Sequence, residues 1–166
     1  MKIDDDHMYH GSALTQIAEH PDFKAINAFD DGDLDARGAF LINANISVYI
    51  KHATKPNAPH GEYVFTFNKK NLEELEILKE KGLKVFVLFV CIKAREICGL
   101  TLEELEQHIN RRKTAKNGQN EPQYTLLVTA QTNKAFRVYV NAPGQRNKSM
   151  KQQIVRRNAF PSMIFD

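Results

Sequence analysis

Apolar and polar positions alternate along this chain in runs short enough to be separate helices and strands. Ser12 can cap a helix over 13–20, with Leu14, Ile17 and Ala18 on one face. Pro21 suits the first position of a second helical stretch, 22–28, with Phe23 and Ile26 turned inward. Two strands are predicted at 38–42 and 46–52, joined by Asn43-Ala44-Asn45, and a third at 62–67 after the Pro-rich break at 55–61. Asn71 followed by Glu74 predicts a helix over 72–81, closed by Lys79, Lys81 and Gly82. The stretch 84–92 is almost wholly apolar, the pattern of a strand covered on both faces, and 95–100 can pair beside it.

Thr101 and Glu104 form a capping box for a third helix, which ends at Arg111-Arg112-Lys113. Asn117-Gly118 marks a turn, and 124–130 with 135–141 predicts a hairpin. Residues 143–166 show no clear period, and Phe160 to Phe165 reads as an apolar plug on the core. The order α-β-β-β-α-β followed by β-α-β-β predicts a single α/β domain, its first three strands a meander in a central mixed sheet flanked by helices.

A length of 166 residues suits one such domain. Residues 1–7 read either as expression-vector sequence before a native start at Met8 or as a natural disordered acidic tip, and are set aside from the fold, which is assigned to 8–166. No secretory signal or membrane-spanning run is visible. Cys91 and Cys98 fit neither a zinc knuckle nor a redox dithiol and read as buried, reduced residues of a cytoplasmic protein. The six histidines form no H-x-x-x-H pair, which argues against a histidine-based metal site.

Charge changes the picture more than composition does. Residues 1–106 carry 12 Lys/Arg against 18 Asp/Glu, whereas 107–166 carry 11 against 2. A basic block on an otherwise acidic fold is the electrostatic footprint of nucleic-acid binding. Arg111, Arg112, Lys113, Lys148, Lys151, Arg156 and Arg157 are the candidate phosphate contacts, with Gln145, Asn147 and Ser149 interleaved as neutral ones. Arg111 to Lys113 also have a structural reading, as cations at a helix C-terminus. Gly144 to Ser149 ends like a phosphate loop but lacks the glycine before Lys148 and precedes no capped helix, so nucleotide binding there is discounted.

The segment Ile46 to Thr54, with Lys51 near its end, is similar to the lysine-bearing strand of the PD-(D/E)XK nuclease superfamily. The α-β-β-β-α-β order over about residues 12–92 resembles the core of that superfamily. The resemblance implies a Mg²⁺-dependent endonuclease or an inactive relative, acting on DNA ahead of RNA. It implies catalytic roles for Lys51 and Asp35, with Glu19 supplying a further acid from the first helix. Asp35 and Glu19 would hold the metal, which polarises phosphate and activates water, and the lysine would stabilise developing charge. The sequence departs from the pattern two residues before Lys51, where Tyr49 stands in place of an acid. Asp33 is an alternative to Asp35, Asn43 and Asn45 are weaker ones, and Glu62 is a substitute for the missing acid. Non-enzymatic alternatives are a protein-interaction module or a subunit of a larger defence or restriction assembly. A homodimer is compatible with any of these readings.

Overall fold

The structure is a computed structural model that describes every residue except Asp30, Asp31, Asp33 and Asp35, and every side chain except also those of Arg146 and Asn147. Helix α1 (Asp5–Ala18) starts earlier than the apolar pattern predicts, because Asp4 caps it: its carboxylate accepts from the His7 amide while His7 reaches back to the Asp4 amide. The acidic tip therefore forms the first turn of a helix whose buried side chains are His10, Ala13 and Ile17.

Residues 22–25 are not helical. The Asn43 side chain accepts from the Lys24 and Ala25 amides and donates to the Asp22 carbonyl, at 2.7, 3.2 and 2.7 Å. This leads the chain into a short strand, β1 (Ile26–Ala28), in which Ile26 is exposed rather than turned inward. Strands β2 (Ala39–Ile42) and β3 (Ile46–Ala53) form the expected hairpin, with Asn43 and Ala44 both at positive φ.

Strand β4 (Glu62–Asn68) departs from the predicted meander. Instead of pairing with β3, it pairs in full antiparallel register with β7 (Gln123–Thr129) in a second sheet. Helix α2 (Lys69–Glu80) follows directly, capped by Asn68 with Asn71 as its reciprocal partner, so the cap lies three residues before the expected one. Strand β5 (Lys84–Cys91) is central as predicted, parallel to β3 on one side and antiparallel to β6 (Glu96–Thr101) on the other. The Thr101–Glu104 box opens α3 (Leu102–Ala115).

The first sheet thus runs β1-β2-β3-β5-β6. The second, β11-β8-β7-β4, adds β8 (Phe136–Tyr139) and β11 (Gln153–Val155). Between β8 and β11 projects a hairpin of β9 (Asn141–Ala142) and β10 (Gln145–Ser149), and the segment that ends like a phosphate loop is Gly144 of its turn followed by strand β10.

Alternate residues of β5 serve two cores. Val85, Val87, Phe89 and Cys91 pack toward the second sheet, α2 and α3; Phe86, Leu88 and Val90 pack toward α1 and the C-terminal plug, where Phe160 and Ile164 are buried. The two free cysteines are buried, and burial pushes the Cys91 thiol up to about 12. No helix among the described residues is long and apolar enough to cross a membrane. The result is one α/β domain, its central mixed sheet backed by a second sheet and flanked by helices.

Candidate functional site

Among the described residues, the acids implied by the nuclease resemblance do not gather around Lys51. Its ammonium turns between the layers, donating to the Thr66 carbonyl at 2.5 Å and to Asn71 Oδ1 at 3.2 Å, with the Phe67 ring centroid 5.0 Å away. Burial lowers the Lys51 pKa, partly opposed by Glu74. Glu19 is exposed at the C-terminal end of α1, whereas it is the other half of that helix, at Tyr9 and His10, that meets His52 next to Lys51 in β3. Glu62 points to the outer face of the second sheet. Asp35 lies outside the described residues, as does its alternative Asp33.

The acid that does neighbour Lys51 is Glu74 of α2. Tyr49 donates its hydroxyl to Glu74 at 2.9 Å and accepts from Asn71 at 3.1 Å, so Asn71 links the lysine to the tyrosine–carboxylate pair. In the sequence Asn71 and Glu74 read as capping residues only. Their three-residue spacing also places both on one helix face, and that was the available signal.

The larger feature is on the outer face of the second sheet. Register sets Glu62, Thr129, Arg137 and Ile154 in one row across β4, β7, β8 and β11. Such a face is ordinarily open to water. Here Glu62, Thr129, Leu127 and Tyr139 are buried nevertheless, because the β9–β10 hairpin and the loop before β4 rise beside them. The trough between these walls has a volume of about 510 Å³. Its floor is the Glu62 carboxylate, which accepts from Tyr139 Oη at 2.5 Å and from Asn57 Nδ2 at 3.2 Å. Burial and the adjoining carboxylate raise the Tyr139 pKa, so this hydroxyl keeps its proton. Lys134 and Arg137 supply the cations of the lining, and His60, Gln131, Asn141, Ser149 and Gln152 its further donors and acceptors.

The basic residues singled out from sequence divide into two groups. Arg112 is structural: it grips Glu121 through two nitrogens at 2.9 Å and donates to the Asn141 carbonyl at 2.6 Å, which ties the hairpin base to α3. Arg157 is held by Glu96 and stacks on Phe136, and Lys113 lies over Tyr124. Arg111, Lys148, Lys151 and Arg156 make no hydrogen bond or ion pair among the described residues. Lys148 and Lys151 are exposed beside Ser149 and Gln152 of the trough. Lys134 and Arg137, absent from the sequence-based set, line the trough itself: β8 turns its odd-numbered side chains, Arg137 among them, outward, and Lys134 comes from the turn between β7 and β8.

A third grouping joins α1 to the end of β3. Asp6 and His10, one helical turn apart, face His52, and their ligand-type atoms all lie within 4.8 Å of one another. The lack of an H-x-x-x-H pair argues against a histidine-based metal site in the sequence; in this grouping the second histidine comes from a strand rather than from the same helix. Searches against protein-family models, curated proteins and solved structures find no match to this chain.

Proposed function

We propose that the protein binds a nucleic-acid strand in the trough on the outer face of its second sheet. The observation that carries this reading is a walled polar channel lined mostly from the basic third of the chain, with Lys134 and Arg137 in its lining and Lys148 and Lys151 at its edge. Cations along such a channel neutralise phosphates, while Gln131, Asn141 and Gln152 offer amides to sugar or base edges. The reading is one of binding rather than cutting, since among the described residues Lys51 has neither Glu19 nor Glu62 beside it.

The test is fluorescence anisotropy of labelled single- and double-stranded DNA and RNA at low ionic strength. Affinity that falls steeply with salt, and that a Lys134→Ala/Arg137→Ala double variant weakens at least tenfold, is the expected result. No binding at low salt, or a double variant equal to wild type, overturns it. A protein partner with an acidic surface is the second reading, favoured by Ile154 and Val64, which are exposed on the same face. A partner retained on the protein after nuclease treatment, and released by Ile154→Asp, would favour that reading instead.

A further inference from the structure

We propose that Asp6, His10 and His52 form a binding site for a divalent transition-metal ion of the zinc class. Asp6 and His10 are four residues apart on α1, so both project from one face of the helix. His52 arrives from β3, on the face of the first sheet that α1 covers, opposite to Lys51. The three donors are thus presented by two packed regular elements, which fixes their separation before any ion arrives.

The details suit a ligand set. Asp6 Oδ1 is 3.9 Å from His10 Nε2, while Arg37 holds the other oxygen, Oδ2, at 3.1 Å. Arg37 also grips Asp4 at 2.9 Å, so it orients the Asp6 carboxylate and leaves one oxygen directed at the histidine. Tyr9 packs on the His52 ring at 4.8 Å between centroids and restricts its rotation. Gly38 lies against His10: a Cβ there would sit 3.6 Å from Nε2 and 2.6 Å from the Ile50 carbonyl. His10 is buried, and desolvation lowers its pKa, which favours the neutral imidazole that a metal requires.

Tetrahedral coordination with metal–nitrogen bonds of about 2.0–2.1 Å puts ligand atoms roughly 3.3 Å apart. The observed separations close to that value with side-chain shifts of about 1 Å, a movement available to χ rotations of Asp6 and His52. Two imidazoles and one carboxylate select zinc, cobalt or nickel over magnesium and calcium, which take oxygen-rich sets. Three protein ligands leave a fourth position for water or for a donor atom of a bound molecule. Asp6 and His52 are partly exposed, so that position is open to solvent.

Metal-free full-length protein is titrated calorimetrically with Zn²⁺, Co²⁺ and, as control, Mg²⁺. One equivalent of Zn²⁺ and of Co²⁺ is expected to bind, with no saturable heat from Mg²⁺, and Co²⁺ should give a visible d–d absorption band. His52→Ala and Asp6→Asn, both partly exposed and so tolerated by the fold, should each weaken Zn²⁺ binding by at least about 100-fold. Arg37→Gln, which alters only an outer partner, should cost about tenfold. Absence of saturable Zn²⁺ binding, or binding that persists unchanged in His52→Ala, overturns the proposal; circular dichroism of each variant establishes that it is folded.

Discussion

Arg157 closes its guanidinium on Glu96, with Nε and Nη2 each 2.5 Å from a carboxylate oxygen, while Nη1 donates to the carbonyls of Gln131 and Lys134. Its flat face lies 4.8 Å from the Phe136 ring centroid. One side chain therefore ties β6 of the first sheet to the β7–β8 turn of the second. Arg157→Ala should lower the stability of the fold by about 1–3 kcal/mol in urea denaturation, and Arg157→Lys should recover little, because one ammonium cannot serve the fork and both carbonyls together. A variant with an unchanged unfolding midpoint would show that Arg157 is only a surface charge.

The cations in and beside the trough behave differently. Lys134, Arg137 and Lys148 are expected to act on the salt dependence of nucleic-acid binding and barely on stability. Each phosphate contact removed should reduce the magnitude of the slope of log K against log salt by about 0.7–0.9. Anisotropy titrations of Lys134→Ala, Arg137→Ala and Lys148→Ala at several salt concentrations measure this. Slopes identical to wild type in all three would place the binding surface elsewhere.

The network under Lys51 gives a third expectation. Tyr49→Phe strips the buried Glu74 of its 2.9 Å donor and Asn71 of an acceptor, at a cost of about 1–3 kcal/mol. Lys51→Met keeps the stem against Phe67 and removes a half-buried charge, so it should change stability by less than about 1 kcal/mol. Incubated with Mg²⁺ or Mn²⁺ and nucleic acid, wild type and Lys51→Met should leave the same products. Cleavage by wild type that Lys51→Met abolishes would restore the nuclease reading.

What was legible in the sequence is what nearby residues decide. The Thr101–Glu104 box, the unbroken apolar run of β5 and the Asn43–Ala44 turn each act within a few residues, and each was readable there. The helix predicted over 22–28 failed because Asn43, some twenty residues on, captures its backbone amides and carbonyl. The predicted meander failed because β4 has inward aromatics at Tyr63, Phe65 and Phe67 that fit either sheet, and only pairing with β7, about sixty residues later, decides between them. The trough and the Asp6–His10–His52 group are products of such distant pairings. Lys134 and Arg137 carry no local mark that separates them from the structural Arg112 and Arg157.

Acid should weaken this fold through a buried histidine. His108 of α3 is 1 % exposed; its Nε2 meets Gln153 Oε1 at 2.8 Å, and its Nδ1 is buried with no hydrogen-bond partner among the described residues. A second proton would place an unpaired N–H and a charge in the core, with Arg111 reinforcing the penalty and the Gln153 hydrogen bond and Glu104 opposing it. Burial therefore lowers its pKa from the ordinary 6.5 in the folded chain. The unfolded chain then binds the proton first. Stability is unaffected well above pH 6.5 and declines as pH falls from there to the depressed folded value, at up to about 1.4 kcal/mol per pH unit for one proton. His10, also buried, adds to the decline in the same direction, with Asp6 and Asp4 opposing and His52 and Arg37 reinforcing it. Urea midpoints measured from about pH 7.5 to 5 should fall in wild type, and His108→Gln should flatten the curve to the part due to His10. A wild-type curve already flat in that window, or a variant curve as steep as wild type, would mean that His108 takes its proton without cost in the fold.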